Sequence, residues 1–222
     1  MKEYRIETHL HTRHVSKCGH LDADTLAPAY RQAGYDAVIV TDHYNRTTFE
    51  YLGVSTRDPA AMQAFLEGFR RMVTAAEGTG LRVFRGAELR FDESENDYLL
   101  YGYCDELLAE PEKIFRMGIA DFSRLARAQG ALLVQAHPYR SKCTPAIACY
   151  LDGIETINHN PRHESFNERA AEYADQFGLL ALSGSDCHRA EDIARGGIIT
   201  NQLPSDHLGM MRLIRSRHYK LI

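Results

Sequence analysis

The sequence predicts an α/β protein folded as a seven-stranded (β/α) barrel of the TIM-like kind, and two observations carry this prediction. Short apolar runs alternate along the chain with amphipathic stretches, which is typical of parallel strands joined by right-handed helical crossovers. Most of these runs are followed at once by polar residues, chiefly histidine and acidic residues. In a barrel, such residues meet at the C-terminal face of the strands. An open doubly wound sheet, the competing fold, would gather ligands at one switch point only.

The elements are predicted from their periodicity, in chain order. Apolar runs predict strands over residues 2–8, 37–40, 81–84, 98–102, 131–134, 153–157 and 179–182. Amphipathic stretches predict helices over residues 25–32, from Asp58-Pro59 to Gly78, and over 119–128, 164–177 and 207–215. Asp22 or Asp24 can cap the first helix, and Gly34 can end it. Residues 44–57 are expected to form a polar, aromatic loop.

Length and charge limit the possible functions. A chain of 222 residues is expected to form one domain over residues 1–222. The formal charge of −4 argues against stable nucleic-acid binding, and no apolar run approaches the about 20 residues that span a bilayer. Five scattered cysteines and a first segment unlike a signal peptide predict a reducing, cytoplasmic location. The oligomeric state is not predicted.

The histidines are the most informative residues, and they indicate a metal site. His9 and His11, two apart on an extended backbone, project to the same side and can hold one cation through neutral imidazoles. With Glu88 and Asp186 they make a plausible N/O ligand set, in which the two oxygens of Glu88 suit a bridging role. A second set contains only nitrogen donors: His20, His43 and His188. Such sets suit zinc, manganese or iron. Any one histidine alone would be read as a hydrogen-bonded surface residue, but their joint placement at strand ends favours metal binding.

Several short motifs, in this order, closely resemble those of the PHP (polymerase and histidinol phosphatase) family. They are His9-Leu10-His11-Thr12, Cys18-Gly19-His20, Thr41-Asp42-His43, Gly86-Ala87-Glu88, Ala136-His137-Pro138 and Asp186-Cys187-His188. The resemblance covers almost the whole chain. It implies a distorted seven-stranded (β/α) barrel, a cluster of two or three metal ions on its C-terminal face, and usually the hydrolysis of phosphate esters.

The resemblance also implies which residues hold each ion. His9, His11, Glu88 and Asp186 would hold the first ion, Glu88 and His137 the second, and His20, His43 and His188 the third. One departure concerns the second ion, to which many family members supply a further histidine after the glutamate. This chain has Asn96-Asp97 there, so either residue substitutes or a water fills the position.

The remaining candidates concern the chemistry around the metals. Closely spaced cations would lower the pKa of a bridging water, the expected nucleophile. Four residues follow the motifs at loop starts and are expected to bind an anionic substrate, although each could instead be a solvated surface residue: Arg140, Arg162, His163 and Arg189. His159 could protonate the leaving oxygen or merely orient a neighbour.

Asp42 is expected to fix the tautomer of a ligand histidine, although it could be a direct ligand. Glu155 is given no catalytic role. Cys18, Cys143 and Cys187 are interpreted as small buried spacers, with a Cys/His nucleophilic pair left open.

The sequence therefore predicts a metal-dependent phosphoesterase acting on a small phosphorylated molecule, with two or three divalent ions of zinc, manganese or iron. Histidinol-phosphate phosphatase is one candidate. Hydrolysis of an amide on the same cluster is the alternative, because a bridging hydroxide attacks carbonyl carbon as readily as phosphorus. A non-catalytic, metal-binding accessory module is the third reading.

Overall fold

The computed structural model describes residues 2–222. Its strands are β1 Tyr4–Leu10, β2 Ala37–Val40, β3 His43–Tyr44, β4 Arg82–Arg90, β5 Asp97–Tyr101, β6 Leu132–Gln135, β7 Gly153–Asn158, β8 Leu180–Gly184, β9 Ile198–Thr200 and β10 Lys220–Leu221. Its α-helices are α1 Ala23–Gln32, α2 Arg46–Leu52, α3 Ala61–Phe65, α4 Glu67–Ala76, α5 Pro111–Ala128, α6 Asn167–Phe177 and α7 His207–Ser216. Among these helices, none combines the length and apolar character needed to cross a bilayer.

The strands form one nearly closed, barrel-shaped sheet in a mixed α/β fold. Nine strands follow each other in the order β10-β9-β1-β2-β4-β5-β6-β7-β8, and β3 pairs with β4 beside this path. β8 lies next to β1. Two backbone hydrogen bonds join the strand ends, from His11 N to Cys187 O at 3.0 Å and from Cys187 N to His9 O at 3.2 Å. The predicted barrel class is confirmed in this form, with strands added beyond the seven expected.

The prediction of parallel pairing throughout is wrong at β5. This strand is antiparallel to both neighbours, with Arg90 opposite Asp97 and Tyr98 opposite Gln135. The connection from β4 spans only residues 91–96, whereas a parallel crossover needs a dozen residues or more. As a consequence, the first residues of β5 lie at the same end of the barrel as the carboxyl ends of the parallel strands.

The core consists of apolar layers on both faces of the strands. In β2, Ala37 and Ile39 pack in the same layer as Ile6 of β1, with Met210 of α7. Val38 packs in another layer, against residues of α1 and α4. This alternation explains why β2 reads as a continuous apolar run, since a strand covered on both faces has no solvent side.

The helices after β3 differ from the prediction. The expected loop over residues 44–57 contains α2, which Asn45 caps by accepting from Thr48 N at 2.9 Å and Gly53 ends at φ +67°. The expected long helix is two helices that meet at Leu66. The break lets α3 pack with Phe65 in one core layer and α4 with Met72 in another.

Candidate metal centre and surrounding cleft

Four of the predicted ligands meet in a fully buried cluster. His9, His11, Glu88 and Asp186 are each at most 1% exposed. The Nε2 atoms of His9 and His11 lie 3.0 Å apart. Both lie 3.3 Å from an oxygen of Glu88, His9 from Oε1 and His11 from Oε2. Asp186 Oδ1 is 3.5 Å from His9 Nε2 and 3.4 Å from His11 Nε2.

Hydrogen bonds behind the two histidines fix their tautomers. His9 Nδ1 lies 2.9 Å from Glu155 Oε1, which can only accept when ionised. His11 Nδ1 lies 3.2 Å from the Ser16 hydroxyl, which donates to Asp42 Oδ1 at 2.8 Å and so accepts from the imidazole. Both Nδ1 atoms therefore carry the proton, and both Nε2 atoms turn their lone pairs toward the cluster.

The cluster thus brings acceptor atoms together where a positive charge is required. The Nε2 lone pairs of His9 and His11 each lie within 3.5 Å of the other, of an oxygen of Glu88 and of Asp186 Oδ1. The two facing lone pairs and Asp186 Oδ1 are buried acceptors that repel each other, so a cation must lie among them, either a proton or a metal ion. The donor types and their tautomers fit a divalent metal.

The titration of the cluster agrees with this arrangement. Burial would raise the pKa values of Asp186 and Glu88, but nearby imidazoles outweigh it and hold the pKa of both carboxyls well below the usual range. Burial would lower the pKa of His9, but Glu155, Glu88 and Asp186 raise it well above the usual range. Burial, with the neighbouring imidazoles, keeps the pKa of His11 well below its usual range. Without metal, a proton on His9 supplies the positive charge.

A second group of candidate ligands lies on the other side of Glu88. His137 Nε2 is 3.1 Å from Glu88 Oε1 and 4.0 Å from Asp97 Oδ2. His43, Glu88 and Asp97 bring ligand atoms within 4.8 Å of one another. Asn96 and Asp97 are the two candidates for the position at which many family members have a histidine ligand. Of these two residues, Asp97 is the one that the antiparallel strand β5 brings to the cluster. Asn96 instead accepts from Thr144 N at 2.9 Å and so supports a loop.

Two of the candidate ligands have a strained backbone. His137 has φ +28° and Asp186 has φ +49°, in the left-handed region that non-glycine residues rarely occupy. The His137 amide is held by Glu155 Oε2 at 3.0 Å, and Asn160 Nδ2 donates to the Asp186 carbonyl at 3.2 Å. The surrounding hydrogen bonds therefore maintain a conformation that aims both side chains at the cluster.

A third group contains His11, His43 and His188, whose ring nitrogens lie within 4.8 Å of one another. His20, the predicted third ligand here, is exposed and lies on the rim of the cleft. Cys18 Sγ instead lies 3.1 Å from His188 Nε2. Burial would raise the pKa of the Cys18 thiol, but hydrogen bonds with His188 and His43 outweigh it and lower the pKa to about 6. The interpretation of Cys18 as a buried spacer is wrong, because the residue is exposed and its thiol contacts His188.

The groups open into a cleft of about 430 Å³ lined by arginine and histidine side chains. Arg140 is nearly buried and contacts Asp186 Oδ2 at 2.7 Å. Arg162 forms two hydrogen bonds with Asp192, at 2.7 and 2.5 Å. Arg189 is exposed and forms no ion pair with a carboxylate among residues 2–222, and His163 is also exposed on the lining. The cleft therefore offers positively charged side chains. Among these three arginines, Arg189 is the one whose guanidinium is not paired with a carboxylate of the described chain.

His159 does not reach the cleft. Its Nε2 lies 3.0 Å from the backbone oxygen of Ile222, next to the Ser183 hydroxyl that donates to the same oxygen at 2.7 Å. Asp42 accepts from Thr12 N at 2.6 Å and from Ser16, and it contacts the ligand histidines only through Ser16. Asp42 therefore influences the tautomer of His11 only indirectly. The position of His159 agrees with the second hypothesis for this residue, that it orients a neighbouring group.

Sequence reasoning missed three residues that support the cluster. Glu155 holds His9 and the His137 amide, although no catalytic role was predicted for it. Ser16 connects His11 to Asp42. Arg90 contacts Asp97 through two hydrogen bonds, at 2.8 and 2.6 Å. For Glu155, the available signal was an acidic residue inside an otherwise buried strand, because a charge there requires a partner.

Comparison with known proteins gives matches at the level of fold and family. No curated protein sequence matches this chain. Seventeen solved chains are similar in structure. A two-domain protein from Bacteroides vulgatus, described as containing a predicted PHP-like metal-dependent phosphoesterase, has a TM-score of 0.68 at 16% identity; the match covers 100% of this chain and 65% of that one. PsfC from Pseudomonas syringae has a TM-score of 0.73 at 17% identity, with 100% of this chain and 92% of PsfC covered.

An amidohydrolase from Chromobacterium violaceum, with bound sulfate and no metal, has a TM-score of 0.59 at 14% identity, with 98% of this chain and 97% of that chain covered. At such identities the likeness establishes the fold alone, a mixed α/β barrel. A family model described as PHP-associated matches residues 164–217, the segment that carries Asp186 and His188. This match agrees with the resemblance of the sequence motifs to the PHP family.

Proposed function

We propose that this protein is a metal-dependent hydrolase that cleaves a small phosphate ester. His9, His11, Glu88 and Asp186 hold a first divalent ion. Glu88, His137 and Asp97 hold a second, and His43 and His188 offer donors for a third position. Zinc, manganese and iron suit these donors. Bound ions would supply Lewis acidity and an activated water for attack on phosphorus.

The observation that carries the proposal is that His9 Nε2 and His11 Nε2 lie 3.0 Å apart and that each turns a lone pair toward the cluster. Glu155 and Ser16 occupy the Nδ1 side of these rings, so the chain orients both Nε2 atoms for a cation before any ion binds. Such hydrogen-bond partners fix the orientation of histidine ligands and raise their basicity. A purely structural histidine pair would not need this arrangement.

The cleft favours phosphate over neutral substrates. Arg189 and His163 lie on its rim, and Arg140 lies between the rim and Asp186. A guanidinium can contact two phosphate oxygens at once, which gives both attraction and orientation. We assign Arg189 the principal anion contact because the other arginines are engaged by carboxylates. Histidinol phosphate is one substrate of suitable size and charge.

Turnover of a substrate panel tests the proposal. Protein purified without chelator should contain at least two transition-metal ions per chain by elemental analysis. After reconstitution with manganese, zinc or iron, it should hydrolyse phosphate esters in a panel of phosphomonoesters, phosphodiesters and N-acyl compounds. Asp186→Ala should abolish turnover with an unchanged circular dichroism spectrum, whereas Asp175→Ala, at an exposed position of α6, should be fully active. A metal-free sample with full activity would contradict the proposal.

Amide hydrolysis is the second candidate, and the structural similarity to an amidohydrolase favours it. The same ions and activated water can attack a carbonyl carbon. Turnover of an N-acyl compound without turnover of any phosphate ester would make this candidate the better one. Metal binding without turnover of either class would favour the accessory module.

A further inference from the structure

The loop between β1 and α1 places a thiol where an imidazole was expected. His20 is exposed, and its backbone N–H donates to the carbonyl of His188 at 2.8 Å. Cys18 Sγ lies 3.1 Å from His188 Nε2. Of the two residues on this loop, Cys18 is therefore the one whose side chain contacts a predicted metal ligand.

The other nitrogen of His188 determines what its Nε2 atom offers. His188 Nδ1 lies 2.8 Å from the backbone oxygen of Asp186, and a carbonyl oxygen can only accept. Nδ1 therefore carries the proton, and Nε2 presents a lone pair to Cys18. Sulfur and Nε2 share one proton in the absence of metal, and a divalent ion can take its place.

A separate observation indicates that a cation belongs beside these groups. The carboxylate of Glu88 is fully buried, yet its Oε2 atom makes no well-aligned hydrogen bond among residues 2–222, and neither does His43 Nδ1. These two atoms lie 2.7 Å apart, and His11 Nε2 lies 3.3 Å from the same oxygen. His11 and His43 are members of the third group together with His188. Because His43 belongs both to this group and to the group with Glu88 and Asp97, these atoms border the group that Cys18 adjoins.

Local packing holds Cys18 in position. Gly19 N donates to Ser16 O at 2.9 Å, and Arg13 N donates to Leu21 O at 2.9 Å, which closes the loop on itself. A Cβ atom on residue 19 would lie 2.9 Å from the carbonyl carbon and oxygen of Thr12, closer than real Cβ atoms approach. Glycine at this position therefore allows the loop to close tightly with Cys18 beside His188.

We propose that Cys18, and not His20, completes the third metal position together with His43 and His188. This inference rests on the proposed metal centre. Zinc–sulfur and zinc–nitrogen bonds of about 2.3 and 2.0 Å place the two donors about 3.5 Å apart at a tetrahedral metal, so Cys18 Sγ and His188 Nε2, now 3.1 Å apart, need to separate only slightly. On binding, the thiol proton passes to solvent as the metal–sulfur bond forms. A thiolate selects zinc, iron or cobalt over magnesium and manganese at this position.

Cobalt substitution tests the inference with a spectroscopic signal rather than with activity. The full chain is loaded with cobalt(II), and the near-ultraviolet charge-transfer absorption of a cobalt thiolate is measured with the metal content. Wild type, His20→Ala and Cys104→Ser should show the band and equal metal content. Cys104 provides a matched control because it is exposed on the loop after β5. Cys18→Ser should lose the band and one equivalent of bound cobalt.

The outcomes separate this inference from the proposed function. A band that persists in Cys18→Ser, and disappears in Cys143→Ser, would assign the thiolate elsewhere and overturn the inference. Loss of one cobalt in His20→Ala, but not in Cys18→Ser, would overturn it as well. Wild type that binds cobalt without the band overturns this inference alone. Wild type that binds no cobalt overturns the proposed metal centre too.

Discussion

Glu155 allows a direct test of how the chain prepares His9 for metal binding. Its carboxylate accepts from His9 Nδ1 at 2.9 Å, from His137 N at 3.0 Å and from Asn158 Nδ2 at 2.9 Å. In Glu155→Gln, the amide offers one accepting oxygen and one donating NH₂ group. If the oxygen keeps His137 N and Asn158, the NH₂ group faces His9 Nδ1. His9 must then move its proton to Nε2, and the lone pair toward the cluster is lost.

The expected loss of metal affinity follows from this change of tautomer. Replacement of hydrogen-bond partners behind metal ligands typically costs about 10–100-fold in affinity, or about 1.4–2.7 kcal/mol. Glu155 is 1% exposed, so water cannot readily take over its contacts. We therefore expect the upper half of that range for zinc at the first position.

Competition with a chromophoric chelator measures this affinity. Glu110→Gln provides the control, because the same chemical change is made on an exposed carboxylate at the start of α5. Thermal unfolding of the metal-free proteins shows whether the fold is retained. Unchanged zinc affinity in a folded Glu155→Gln protein would refute the role given to the His9 tautomer.

Three further predictions concern substrate, packing and protons. Arg189→Met should lower kcat/KM for a phosphate ester by about 10–100-fold, because a charge-assisted contact of about 1.5–3 kcal/mol is lost, and Arg189→Lys should recover part of this loss. Steady-state kinetics at unchanged metal content measure the effect. Full activity of Arg189→Met would place the anion contact elsewhere. Gly68→Ala should lower the free energy of unfolding in urea by about 1–3 kcal/mol, because a Cβ atom at residue 68 would overlap Asp42 Oδ2. An unchanged urea midpoint would contradict the close approach of Asp42 to residue 68. Because Glu155, Glu88 and Asp186 raise the pKa of His9 in the metal-free protein, a metal ion must displace a proton from His9, and metal affinity should rise with pH through the neutral range. Calorimetry in buffers of different ionisation enthalpy measures the number of protons released. Release of no proton would exclude this coupling.

The approximate positions of seven strands and of the main ligands could be predicted from the sequence. A strand covered on both faces must be apolar throughout, so β2 and β6 stand out as continuous runs. His9 and His11 share a side because an extended backbone alternates, which is a local property. The motifs that contain Glu88 and Asp186 follow such runs directly, and these residues meet in one buried cluster.

Only the tertiary structure decided which side chains face each other. The reversal of β5, which brings Asp97 rather than Asn96 to the second group, depends on a short connection and on pairing with two neighbouring strands. The place of Cys18 beside His188 joins residues 170 positions apart in the sequence. Glu155 contacts His9 across 146 positions. Local periodicity encodes which residues are buried and in what order they follow strands, but partners so distant in sequence are chosen by the packing of the whole barrel.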